Sequence, residues 1–157
     1  MNETEFLRHA VATVAYRGSK AVRDASPAFA AFEAGPGTRV PVAILAHVCD
    51  LYDWALSMAD GREAWHDSTP LAWDDEVRRF FATLAAFDAR LASGAPLSVA
   101  AQKLFQGPIA DSLTHVGQLT MLRRMAGAAI RGENYSRAEI VAGRVGADQA
   151  TPRREFD

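Results

Sequence analysis

Residues 107–131 read GPIADSLTHVGQLTMLRRMAGAAIR, and the spacing of polar groups in this stretch governs the interpretation of the whole chain. Pro108 suits the first turn of a helix, where its missing N–H would be unpaired anyway. The spacing predicts a long helix from there to about the Arg131-Gly132 pair. Asp111 and His115 are four residues apart and so lie one turn apart on one face. Gln118 and Leu122 continue that face, and Ala126 and Ala129 follow it. A face that begins polar and becomes apolar is directed at a core. Asp and His in a core need hydrogen-bonding partners or a metal ion, because unpaired polar burial is costly.

Upstream, the periodicity predicts three further helices. One spans about Glu3 to Asp24, with Leu7, Val11, Val14, Gly18 and Ala21 at helical spacing. Gly18 costs about 1 kcal/mol relative to Ala inside a helix, which points to close approach by a neighbour. A second begins between Thr38 and Pro41 and runs to about Ala59. Its stripe is Val40, Ile44, Leu51, Trp54, Ala55 and Met58, with His47 in the middle, where an apolar residue would be expected. The third opens on Asp74, Asp75 and Glu76, acids favoured at a helix N-terminus. Val77, Phe80, Phe81, Leu84, Phe87 and Leu91 form its buried stripe. Gly61 to Leu71 is a linker, and Ser93 to Pro96 ends the third helix. After Gly132 the pattern changes. A short helix over Ser136 to Gly143, capped by Ser136 with Glu139, would lead into an extended arm. The fold class is therefore all-α: a four-helix bundle over 1–132 with a short irregular or helical C-terminal tail over 133–157.

Composition narrows the function. The chain has 157 residues, 49% apolar and 23% charged, with a net charge of −2, which fits one globular domain and leaves no basic footprint for nucleic acid. No apolar stretch reaches the roughly 20 residues of a membrane span, and the N-terminus does not read as a signal peptide. Cys49 is the only cysteine, so no internal disulfide forms. A cytoplasmic protein without nucleic-acid or membrane partners is the expectation.

Bundle cores build metal sites from facing helices. His47 from the second helix can meet Asp111 and His115 from the fourth. Two imidazoles and one carboxylate suit zinc, nickel, iron or manganese, with open positions for water or substrate. Each residue also has a plainer role: His47 as a core histidine bonded to a carbonyl, Asp111 as a first-turn acid on the helix dipole, His115 as the partner of Asp111. Gln118, one turn beyond His115, is the candidate catalytic side chain, or else satisfies a neighbouring backbone group. Cys49 points about 160° away from His47 around the helix and is a poor ligand candidate. Asp50 could orient His47 but more simply lies on a solvated edge. Trp54 is core before it is pocket wall, and Arg123 and Arg124 would pair with surface acids. A ferritin-like di-iron set is not encoded: the one Glu-x-x-His spacing, Glu63 to His66, lies in the linker.

The string DSLTHVGQLTMLRRMAG, with His47 upstream in AHVCDLYDW, resembles the DinB/YfiT-like superfamily. Its pattern is a histidine on the second helix and an H-x-x-x-H pair on the fourth, followed by G-Q. His47 matches the first ligand, His115 the last, and Gly117-Gln118 the G-Q. Asp111 stands where the family usually has histidine, a departure that keeps a competent ligand and shifts metal preference. The resemblance covers roughly the first 132 residues.

It implies a core divalent metal, a homodimer, and chemistry such as transfer of a low-molecular-weight thiol to an electrophile. A metal would lower the pKa of a bound thiol or water. Metal-assisted hydrolysis fits the residues equally well. The alternative is a stress-related bundle that binds a metal or small ligand without turnover. The tail would pack on the bundle or cross as an arm to a dimer partner.

Overall fold

Asn2 accepts the Glu5 N–H at 2.8 Å, and the Glu5 carboxylate accepts the Asn2 N–H at 2.7 Å. This capping box starts α1 (Glu3–Val22). The computed structural model describes residues 1–156. A single turn, α2 (Pro27–Ala30), leads to α3 (Pro41–Ala59), which opens on a proline in its first turn. After the linker come α4 (Trp73–Ala92), the short α5 (Ala101–Leu104) and α6 (Ala110–Met125). The three upstream long helices thus match the periodicity to within about two residues.

The regular structure is almost wholly helical. α1 packs on α4 and α6, and α3 packs on the same two helices. Leu7, Val11 and Val14 of α1 meet Phe80, Leu84 and Phe87 of α4, Leu45, Val48 and Tyr52 of α3, and Val116 and Leu119 of α6 in one apolar core. Gly18 faces Phe80, the close approach that its place in a helix interior implied. α3 is long and apolar enough to cross a membrane by length and composition, yet most of it is buried within the fold.

The fourth long helix departs from its expected bounds at both ends. α5 and α6 are joined by a π turn over Phe105–Ile109, with Pro108 inside it, so the helical path starts at Ala101 rather than at Pro108. Pro108 has no N–H for the α ladder and its ring crowds the preceding turn; the wider π turn accommodates it. At the other end α6 stops at Met125, six residues short of Arg131. Gly127 takes φ +77°, Ala128 N–H bonds Arg123 C=O at 2.9 Å and Gly127 N–H bonds Arg124 C=O at 3.1 Å. That is a Schellman stop, for which glycine is the favoured residue.

The tail also differs. Only a 3₁₀ turn forms, over Tyr135–Arg137, capped by the Asn134 side chain, and no helix spans 136–143. Asn134, a better cap than Ser136 here, takes up the Ser136 N–H at 3.2 Å. Instead of running on as an arm, the chain returns: β1 (Gly132–Glu133) pairs antiparallel with β2 (Glu155–Phe156). Buried Glu133 accepts from Tyr16 Oη at 2.7 Å and Lys20 Nζ at 3.0 Å, and Val145 enters the core.

Candidate metal centre

His47 stands on α3 and Asp111 and His115 stand one turn apart on α6, so the site depends on how those helices are held together. Tyr52 does this from within the core. Its hydroxyl lies 2.9 Å from Ser112 Oγ, which itself donates to Ile109 C=O at 2.7 Å. The pinned residue is next to Asp111. The π turn immediately before it fixes the rotational phase at which Asp111 leaves the helix.

The three sequence-nominated ligands converge. Their donor atoms all lie within 4.8 Å of one another, and all three residues are half-buried. Asp111 Oδ2 is 3.6 Å from His47 Nε2, and Asp111 Oδ1 is 3.5 Å from His115 Nε2. The imidazoles meet edge-on, with centroids 4.7 Å apart. Both carboxylate–imidazole separations exceed an ordinary N–H···O bond of about 2.7–3.2 Å. Two donors each about 2.1 Å from one cation at tetrahedral angles lie roughly 3.4 Å apart. Both separations also lie within ion-pair reach, so the spacing accommodates the plainer pairing of His115 with Asp111 as well as shared ligation.

Gln118 completes the logic. Its Oε1 is 2.7 Å from His115 Nδ1. An amide oxygen only accepts, so Nδ1 donates to it, and Nε2 is the ring nitrogen that faces the carboxylate. His47, Asp111 and His115 thus offer one ligand atom each to a common point. Burial, His115 and Arg39 hold the His47 pKa below its ordinary value, against the pull of Asp111. A neutral His47 keeps its donor lone pair. The residue set thus fits a divalent metal.

Two openings reach this cluster. A cleft of about 660 Å³ is lined by His47, His115 and Gln118 together with Arg39, Ile44, Met121, Leu122 and Met125. A smaller one of about 370 Å³ meets Asp111 from the other side, between Trp54, Gly107 and Thr114. Trp54 is half-buried, packed against the core and also walling this opening, with its Nε1 donating to Glu63 at 3.1 Å. Trp65 from the linker packs against both His47 and Trp54, at centroid distances of 5.5 and 5.9 Å. Sequence periodicity had no means of finding Trp65. The available signal was a large aromatic in an otherwise polar linker, where it needs a surface to cover.

Comparison with protein-family models, with curated proteins and with solved structures gave no match.

Three other nominated residues lie elsewhere. Asp50 is neither solvated nor aimed at His47; it is buried, accepts the Ser68 N–H at 3.0 Å and pairs with Arg79. The linker folds over that edge of α3 and excludes water from it. Arg123 is buried instead of pairing at the surface, and donates to the carbonyls of Ala21, Arg23 and Ala128, tying off the ends of α1 and α6. Cys49 is buried with Sγ 3.9 Å from the Glu76 carbonyl, and burial pushes its thiol pKa up, so it is inert. His9 and His66 are exposed.

Proposed function

We propose that this chain is a DinB/YfiT-like four-helix bundle with a divalent-metal centre, and that it transfers a small thiol to an electrophile or carries out a metal-assisted hydrolysis. The observation that carries this reading is the convergence of His47, Asp111 and His115 to within 4.8 Å at the edge of an open cleft. These three residues would hold zinc, nickel, iron or manganese, with part of the coordination sphere left open. A cation held there lowers the pKa of a thiol or water, making a nucleophile at neutral pH.

The chain's own groups supply the rest. Gln118 fixes the His115 ring through Nδ1. Trp65 covers the outer edge of His47 and limits water on that side. Ile44 and Leu122 form an apolar wall for the electrophile. The cleft's volume lies within the range of about 300–1,000 Å³ typical of small-molecule sites, leaving room for a thiol beside its acceptor.

The test is metal content by mass spectrometry of untagged wild type and His115→Ala. About one equivalent in wild type, lost in the variant, is the expected result. No uptake after incubation with zinc, nickel, iron and manganese overturns it. Homodimerisation belongs to the same proposal: light scattering is expected to give about twice 17.0 kDa. The tail contacts its own α1, so truncation after Gly132 is expected to leave the dimer intact.

A further inference from the structure

We propose that the cleft takes a small amphipathic carboxylate, with its apolar body along Ile44, Leu122 and Met125 and its anionic group met by Arg39. This rests on the reading of the cleft as the substrate site.

The charge distribution of the lining carries the argument. Among the described residues no Asp or Glu lines the cleft, and Arg39 is its one permanently charged side chain. Asp111 sits behind the imidazoles and faces the smaller opening. Among the described residues the buried and half-buried arginines are all engaged: Arg8 with Asp88, Arg17 over the Tyr135 ring, Arg79 with Asp50, Arg90 with Asp60, Arg123 with backbone carbonyls and Arg144 with Glu139. Arg39 is exposed and has no ion-pair partner among the described residues, which is also true of Arg124 and Arg137, but of these it alone lines the cleft. It shares the cleft lining with His47 and His115.

Position sets the size of the ligand. Arg39 precedes the first residue of α3 by two, and His47 lies six residues into that helix, about 9 Å along its axis at 1.5 Å per residue. A ligand with its acid at Arg39 and its other end at His47 and His115 therefore needs an elongated body. Between the two ends the wall is apolar. Ile44 and Leu122 are buried, whereas Met121 and Met125 are 59% and 53% exposed and present flexible thioethers that adapt to varied apolar bodies. A guanidinium meets a carboxylate through two parallel, charge-assisted bonds and gains far less from a hydroxyl.

Calorimetry with octanoate and octan-1-ol, on wild type and Arg39→Gln, each chelator-treated and zinc-loaded, tests this. Octanoate is expected to bind wild type about tenfold tighter than the alcohol in both states, and Arg39→Gln to bring the two ligands level. No preference in wild type, or a preference that survives Arg39→Gln, overturns the proposal. A preference seen only with zinc and insensitive to Arg39→Gln assigns the carboxylate to the cation, overturning the Arg39 anchor while the metal centre stands. A wild type that takes up no metal but shows an Arg39-dependent preference does the reverse.

Discussion

An ideal Cβ on Gly18 would lie 2.5 Å from Phe80 Cζ, so the α4 ring fills the space any other side chain on α1 would need there. Phe80 is fully buried and cannot swing aside. Gly18→Ala is therefore expected to destabilise the fold. Overpacking costs about 1–3 kcal/mol, and the gain in helix propensity offsets only about 1 kcal/mol of it. Urea unfolding checks this, with Phe80→Leu expected to rescue part of the loss. A more stable Gly18→Ala would show that the helices separate freely.

That contact was half legible in the sequence. A glycine inside a strongly periodic helix implied a neighbour, while the identity of the neighbour came only with the packing. The same division runs through the site. His47, Asp111 and His115 stood out because polar residues interrupted apolar stripes. The ends of the last helix did not, because Gly127 carried the stop signal within a run of alanines that reads as helix. Asp50 and Arg123 were misplaced for one shared reason. Periodicity locates a residue on a helix but says nothing of the irregular chain, here the Ser68 segment and the ends of α1, that folds over it.

Arg79 joins α3, the linker and α4: it bonds Glu76 at 2.9 Å, Ser68 Oγ at 2.7 Å and, more closely, Asp50. Asp50 and Glu76 are 3% and 0% exposed. Arg79→Met strands both carboxylates and is expected to cost about 3–5 kcal/mol. Arg79→Lys should recover only part of this, since one ammonium cannot copy the planar fork. The urea midpoints of the two variants decide it, and an Arg79→Lys midpoint equal to that of wild type would remove the geometric argument.

Removing the Gln118 acceptor should loosen His115 without unfolding α6, because Gln118 is exposed. Gln118→Leu is expected to weaken metal binding about 10–100-fold, the usual effect of losing an outer hydrogen bond to a ligating histidine. Gln118→Glu keeps an acceptor and should stay near wild type. Competition against a chromophoric chelator measures both. Unchanged affinity in Gln118→Leu would leave the 2.7 Å contact without a role.

The tail should come loose in acid. Glu155 lies 2.7 Å from the Lys20 ammonium. Its bond to Lys20 holds its carboxyl pKa below the ordinary 4.5, with the charges of Lys20, Arg131 and Arg23 assisting and burial opposing. A depressed folded pKa means that the unfolded chain takes up the proton first. The stabilisation is therefore complete above about pH 4.5 and is lost as pH falls through the folded value. Wild type should be more stable than Glu155→Gln near neutrality, and the gap should close on acidification. Parallel stability profiles from about pH 7 to pH 3 would contradict this.

The π turn at Phe105–Ile109 has a consequence for how this centre can be gained or lost. Each residue added to or removed from a helix swings everything beyond it by about 100° around the axis. Deleting one residue of that turn would carry Asp111 and His115 off the face that meets His47, although all three ligands would still be spelled out in the chain. The vulnerable trait is phase rather than identity. A length change at a position that binds nothing would silence the centre as completely as replacing a histidine.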